Sequence, residues 1–229
     1  MLKLNSKNLF IVFLLLFTYC AKKDAVKNIN NSLDSSKMTH IQSDTTTINN
    51  PSVSAATEIN GYTASALGRA VYANNLQLVK ELVDKGASTS NCLATEMYEF
   101  DLLFAAIEFE KVDIVRYVLD NNLYTSINNV YTEESETPLT LACALENIQN
   151  AAAIAELLIK NGADVNGAGS VGGDYTYYPL INAIKKGNVQ LTKLLIDNGA
   201  KTNILDNQGK TPVSYAQESG NQAIIDLVK

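Results

Sequence analysis

The sequence predicts an all-α solenoid of about five helix–turn–helix units over residues 61–229, and three observations predict it. A small alanine recurs at Ala70, Ala106, Ala142, Ala183 and Ala216, in steps of 36, 36, 41 and 33 residues. A period in the thirties is that of stacked supersecondary units, each burying its apolar face on the next. One helical turn before each marker stands an apolar residue, Leu67, Leu103, Leu139, Leu180 or Val213, on the same face as the alanine. Sixteen residues after the marker comes a residue suited to positive φ, Gly86, Asn122 or Gly199, and Gly162 takes that role once a four-residue insertion is allowed.

The elements follow in order. Ser65-Ala66-Leu67-Gly68 opens the first unit, and Leu78-Val79 with Leu82-Val83 gives its second helix an i, i+3, i+4 apolar face. Asp101-Leu102-Leu103-Phe104 opens the second, whose second helix carries Ile114-Val115 and Val118-Leu119. In the third and fifth units Thr137 and Thr211 can cap the first helix, with Pro138 and Pro212 in its first turn, where a missing N–H is tolerated. Pro179 does the same in the fourth, with Tyr178 in the slot before it, expected to pack. Ile154 with Leu157-Leu158, and Leu191 with Leu194-Leu195, supply the later second helices. The insertion near Glu146–Asn150 is expected to lengthen the bend between the two helices of the third unit. In the last unit Gln217, Glu218, Gln222 and Asp226 give the outward face the polarity that a terminal unit needs.

The stretch Glu136-Thr137-Pro138-Leu139-Thr140-Leu141-Ala142, followed by Leu157-Leu158-Ile159-Lys160-Asn161-Gly162-Ala163-Asp164-Val165-Asn166, carries the pattern T-P-L-x-x-A … L-L-x-x-G-A-D-V-N and resembles an ankyrin repeat. The resemblance covers residues 61–229; it is strongest in the units marked by Ala142 and Ala183, and no unit keeps the pattern's histidine. It implies β-hairpin-like fingers between units, and a concave face of fingers and first helices that binds a protein. Residues on that implied face are Tyr98 and Phe100 before the second unit, Tyr124 and Tyr131 before the third, and Tyr175 and Tyr177 before the fourth. Tyrosine offers a rigid ring with a polar tip, suited equally to recognition and to covering the ends of a helix stack. Two residues beyond the markers, the same groove would be lined by Tyr72, Glu108, Ala144 and Lys185.

The first sixty residues read differently. Lys3 and Lys7 precede an unbroken apolar run, Leu9 to Phe17, too short to span a bilayer and suited to the core of an export signal over residues 1–20. Phe17-Thr18-Tyr19-Cys20 resembles a bacterial lipobox, although Phe17 and Tyr19 depart from its usual residues; this implies lipidation of Cys20 and a chain held at the cell envelope, with simple cleavage or an uncleaved anchor as the other outcomes. Residues 21–60, rich in Asn, Ser, Thr and Asp without an apolar period, are expected to form a disordered tether with a mean reach of about 35 Å.

Composition excludes several functions. Residues 61–229 hold twelve Lys and Arg against twenty Asp and Glu, a net of −8, which disfavours nucleic acid. The single histidine, His40, lies in the tether, so a His-based catalytic set is absent from the repeat region. Cys92 and Cys143 lie far apart in sequence, poorly placed for a metal, and Cys143 beside its marker reads as core. Gly167-Ala168-Gly169-Ser170-Val171-Gly172 matches G-x-G-x-x-G, but without a strand before it and a helix after it the motif loses its phosphate-binding mechanism and reads as finger. Neither cofactor nor metal is expected. The reading is a non-enzymatic, monomeric, exported module that binds a protein partner. Three other readings stay open: an inhibitor or immunity-type protein, a ligand-binding or enzymatic site at the Gly-rich finger 167–178, and a structural envelope protein.

Overall fold

The computed structural model describes residues 57–132, 136–167 and 178–229, all within the second of the chain's two units, residues 52–229. Five helix pairs follow one another: α1 Ala66–Tyr72 with α2 Leu76–Asp84, α3 Leu102–Glu108 with α4 Val112–Asp120, α5 Pro138–Ala144 with α6 Ile148–Lys160, α7 Pro179–Lys185 with α8 Val189–Asp197, and α9 Pro212–Ser219 with α10 Gln222–Val228. First helices begin where a short polar side chain can accept an orphan N–H. Ser65, Asp101, Thr137 and Thr211 each accept from the backbone three residues on, and Thr140 Oγ1 accepts the Thr137 N–H in return, closing a capping box. Tyr178 holds the same slot in the fourth unit with no side-chain cap, leaving Pro179 to set the first turn. Four of the five second helices are capped by an asparagine, Asn75, Asn147, Asn188 or Asn221, while α4 starts after Lys111 with no side-chain cap; the alanine register leaves this feature of the bend unmarked.

The bends between paired helices are of two kinds. In the first, second and fourth units Asn74, Glu110 and Gly187 take φ of 54°, 58° and 67°, and the next residue's N–H returns to the marker carbonyl of Ala70, Ala106 or Ala183. This is the six-to-one closure of a left-handed helix end. In the third unit Leu145 is extended instead, at φ −60° and ψ 149°. The expected lengthening of this bend is not found. The four extra residues lie inside α6, which has 13 residues where α2, α4 and α8 have nine. Ala151-Ala152-Ala153 is a strong helix former, so the added residues extend the helix by about one turn rather than the loop.

First helices pack on first helices and second on second, giving two layers with the core between them. All five marker alanines are buried, as are Leu67, Leu103, Leu139 and Leu180; burial of each leucine stabilises the stack by about 1.5–3 kcal/mol. Second helices end at Gly86, Asn122, Gly162 and Gly199, all at positive φ, and the following N–H closes back on Leu82, Val118, Leu158 and Leu195. Asn166 ties two of these ends together: its Oδ1 accepts from the Lys201 N–H at 3.0 Å and its Nδ2 donates to the Gly199 carbonyl at 3.4 Å. Asn128 makes the equivalent bridge to Asp164 and Gly162.

The first two fingers are true strands. β1 Thr57–Ile59, β2 Tyr62–Ala64, β3 Leu93–Ala94 and β4 Glu99–Phe100 form one antiparallel sheet in that order. Asn60 and Gly61, both at positive φ, make the β1–β2 hairpin turn. The ordered repeat region therefore takes in residues 57–60, which composition had assigned to the tether.

Candidate partner-binding surface

Rings gather at the N-terminal end of the stack. Phe100 and Phe104 stack with centroids 4.0 Å apart, and Tyr62 meets them edge-on at 5.8 and 6.1 Å. Tyr131 closes one side, 4.9 Å from Phe104, and Phe109 leads from Tyr62 out to Tyr72, whose centroid is 5.1 Å away. A continuous aromatic seam thus runs from the finger sheet to the exposed end of α1. Its geometry is edge-to-face at most junctions, the arrangement that ring quadrupoles favour.

The seam sorts the candidate residues. Phe100 is 3% exposed and Tyr131 6%, so both are core and neither lines a binding face. Tyr131 donates its hydroxyl to Asp101 Oδ1 at 2.9 Å, and burial, followed by the charge and hydrogen bond of Asp101, pushes its pKa upward. Tyr98 and Tyr124 are half-buried against the core. Tyr72, at 43% exposed, presents its ring to solvent. Glu108 is half-buried and accepts from Tyr62 Oη at 3.3 Å. Lys185 is exposed at the other end of the stack, its Nζ 4.5 Å from the Tyr215 ring centre, where Lys210 also approaches to 5.2 Å. The structure therefore brings Tyr72, Tyr98, Phe100, Glu108 and Tyr131 into one neighbourhood and leaves Lys185 in another. Tyr175 and Tyr177 lie outside the described residues, as does Cys20.

Two residues that the sequence places only as helix openers, Asp101 and Gly68, have larger roles in the structure. Asp101 is buried and accepts three times: from the Phe104 N–H, from Tyr131 Oη and from the Thr125 N–H at 3.2 Å. It joins the start of α3 to the finger beyond α4. The signal was an acid in the slot that Thr fills in other units. Gly68 is the second: a Cβ there would meet the Cys92 carbonyl oxygen at 2.2 Å, so the finger backbone lies directly on the helix start. That same carbonyl accepts from the Ser65 N–H and hydroxyl.

Tyr215 Oη donates to Asp206 Oδ2 at 2.6 Å. Burial, then this bond and the nearby carboxylates, push Tyr215 up to about 12. Burial acts to raise Asp206, but the bonds from Tyr215 and the Lys210 and Gln208 amides, with the Lys185 charge, hold it below the usual carboxylate value. Cys92 and Cys143 are both free and buried, and burial raises both thiols, which makes them poor nucleophiles. Among the described residues no group of three or more His, Cys, Asp and Glu could hold a metal, and no helix is long and apolar enough to cross a membrane.

Charge is polarised along the stack. Residues 57–167 hold six Lys and Arg against sixteen Asp and Glu, a net of −10, while residues 178–229 hold six against four, a net of +2.

Family models for ankyrin repeats match this architecture, one of three copies over residues 67–169 and one of many copies over residues 168–216. The chain is 44% identical over 48 residues to FPV223, a candidate ankyrin repeat protein of Fowlpox virus, covering 21% of this chain and 34% of that one. XBAT34 of Arabidopsis thaliana, named as a candidate E3 ubiquitin-protein ligase, is 33% identical over 95 residues, 41% of this chain and 23% of the relative. A candidate ankyrin repeat protein of Borreliella burgdorferi is 24% identical over 158 residues, 67% of each chain. The chain thus spans about a third or less of the plant and viral relatives. With two helical layers, left-handed helix ends and asparagine bridges between units, and with both family models laid over those same units, the chain belongs to the ankyrin-repeat family.

Proposed function

We propose that this chain binds a protein partner at the bacterial cell envelope, through its inner-helix row and the adjoining fingers, without chemistry of its own. Ankyrin repeats are in general protein–protein interaction modules. The observation that carries the reading here is the row two residues past the markers. Tyr72 and Lys185 are solvent-facing and Glu108 half-buried, on helices otherwise fixed by packing, so a partner would meet a surface already in place. A rigid surface loses little entropy on docking, and modest contacts then yield useful affinity. The envelope part of the reading rests on the sequence of residues 1–20: the apolar run from Leu9 to Phe17 and Cys20 at its edge.

The test is capture of cross-linked partners by the full chain, beside a variant with Tyr72 and Tyr98 changed to Ala and matched thermal unfolding. A protein held by the native chain and lost by the variant is the expected result. A partner held equally by both would move the interface off this face. For the anchor, metabolic labelling with a fatty-acid analogue should mark the native chain and spare Cys20→Ser; equal labelling would remove the lipid from the reading.

A further inference from the structure

We propose that Asn60, in the β1–β2 hairpin turn, is a site of self-modification: the Gly61 backbone nitrogen displaces the side-chain amide, and water leaves aspartate or isoaspartate there. The chain holds four Asn-Gly pairs, at 60–61, 161–162, 166–167 and 198–199. A glycine nitrogen reaches the preceding side chain freely, because no Cβ crowds the approach. The structure separates one pair from the other three.

In those three, both reacting groups are tied down. Asn161 Nδ2 donates to the Leu157 carbonyl and Asn198 Nδ2 to the Leu194 carbonyl, both at 2.8 Å. The Gly162 and Gly199 N–H groups donate to Ile159 and Ile196, in helix ends that close on the buried Leu158 and Leu195. Asn166 is held by its bridge to Gly199 and Lys201, and the Gly167 N–H donates to the Asp164 carbonyl at 3.1 Å. Asn60 and Gly61, in contrast, are exposed, at φ 51° and 87°. A two-residue hairpin pairs only its flanking residues, here Ile59 with Tyr62, so the Gly61 N–H lies outside the ladder. The Asn60 amide makes no side-chain hydrogen bond among the described residues. Attack requires the turn to swing open, and β1 is a three-residue strand at the sheet edge with no buried side chain. Such a segment opens at far lower cost than a helix end packed on the core.

The step balances without an oxidant or reductant. The Gly61 nitrogen loses its proton to solvent base and bonds to Asn60 Cγ, the Cγ–Nδ2 bond breaks, and ammonia leaves a cyclic imide. Water then opens either imide carbonyl, giving aspartate or isoaspartate. Isoaspartate inserts a methylene into the backbone of the turn, which no longer fits the Ile59–Tyr62 pairing. Either product adds a negative charge to the acidic end of the stack.

The experiment ages the full chain at neutral pH and follows each Asn-Gly pair by tandem mass spectrometry, with enzymatic methylation to mark isoaspartate. Asn60→Gly runs beside it, keeping a turn suited to positive φ without the amide. Asn60 should convert about tenfold or more faster than Asn161, Asn166 or Asn198, the ratio expected where the others must first break a hydrogen bond. Amide exchange in β1 and β2 should quicken in the aged native chain and stay unchanged in aged Asn60→Gly. Earlier conversion at any of the other three, equal rates at all four, or an intact Asn60 would each overturn the proposal. Unaltered exchange in the modified chain would overturn its effect on the hairpin.

Discussion

The first two units and the third are built from one repeat but held by different means. In the first two, a four-stranded sheet, a seam of rings and the buried Asp101 carboxylate join fingers to helices. In the third, the join is small and local: a threonine capping box, an alanine-lined α6 and single side-chain bridges such as Asn128 to the Gly162 turn. The first arrangement concentrates stability in a few large contacts and leaves a rigid aromatic rim. The second spreads it over backbone geometry and leaves no ring at the surface among its described residues.

Removing one node should therefore hurt the N-terminal pair far more than the third unit. Asp101→Ala strands the Tyr131 hydroxyl and the Thr125 N–H and removes a helix cap, an expected cost of about 3–5 kcal/mol. Amide hydrogen exchange should show protection lost in α1 to α4 while α7 to α10 keep theirs, since units couple chiefly to neighbours. Uniform loss along the chain would mean that the stack behaves as one block. Gly68→Ala must push the Cys92 carbonyl away from α1 and should cost about 1–3 kcal/mol in denaturant unfolding. Thr137→Ala breaks the third unit's capping box and should cost about 1 kcal/mol, confined to α5 and α6. Tyr72→Phe, at the open end of the seam, should change stability by less than about 0.5 kcal/mol.

The far end of the stack offers the smallest effect, and one readable by pH. The folded pKa of Asp206 is depressed, so its contribution is present above the ordinary carboxylate value and fades as pH falls through the folded one. Tyr215 is raised to about 12, so its contribution is whole below the ordinary phenol value and fades as pH rises toward 12. Tyr215→Phe should move the Asp206 carboxyl titration, followed by NMR, toward its ordinary value. An unmoved Asp206 would assign the depression to the backbone amides and Lys185.

The alanine register, the apolar residue before it and the glycine after it were legible because each answers to one local demand: close helix approach, burial, or positive φ. Phe100 and Tyr131 were misplaced on the binding face because a finger's sequence does not say which way its rings turn. For Phe100 that depends on stacking against Phe104 in the helix it precedes, and for Tyr131 on Asp101 and Phe104 from the preceding unit. The hairpin at Asn60-Gly61 was signalled by its dipeptide, but polar composition around it masked the strands. The placement of the insertion turned on Ala151-Ala152-Ala153, where helix propensity outweighs the expectation that extra residues fall in loops.

The longer α6 has a consequence for how this chain can change over time. Units with the same bend can be duplicated or lost in register, because each hands its neighbour the same helix end. The third cannot be exchanged so freely. Its α6 is about 6 Å longer than α2, α4 or α8, and Glu110 of the preceding bend reaches across to the Asn147 amide and the Asn150 side chain at its start. Replacing that unit by one without Asn150 would cost Glu110 the side-chain donor, while the backbone N–H at the start of α6 would remain. The second and third units are therefore joined at this bend by contacts that the other bends do not repeat in this form.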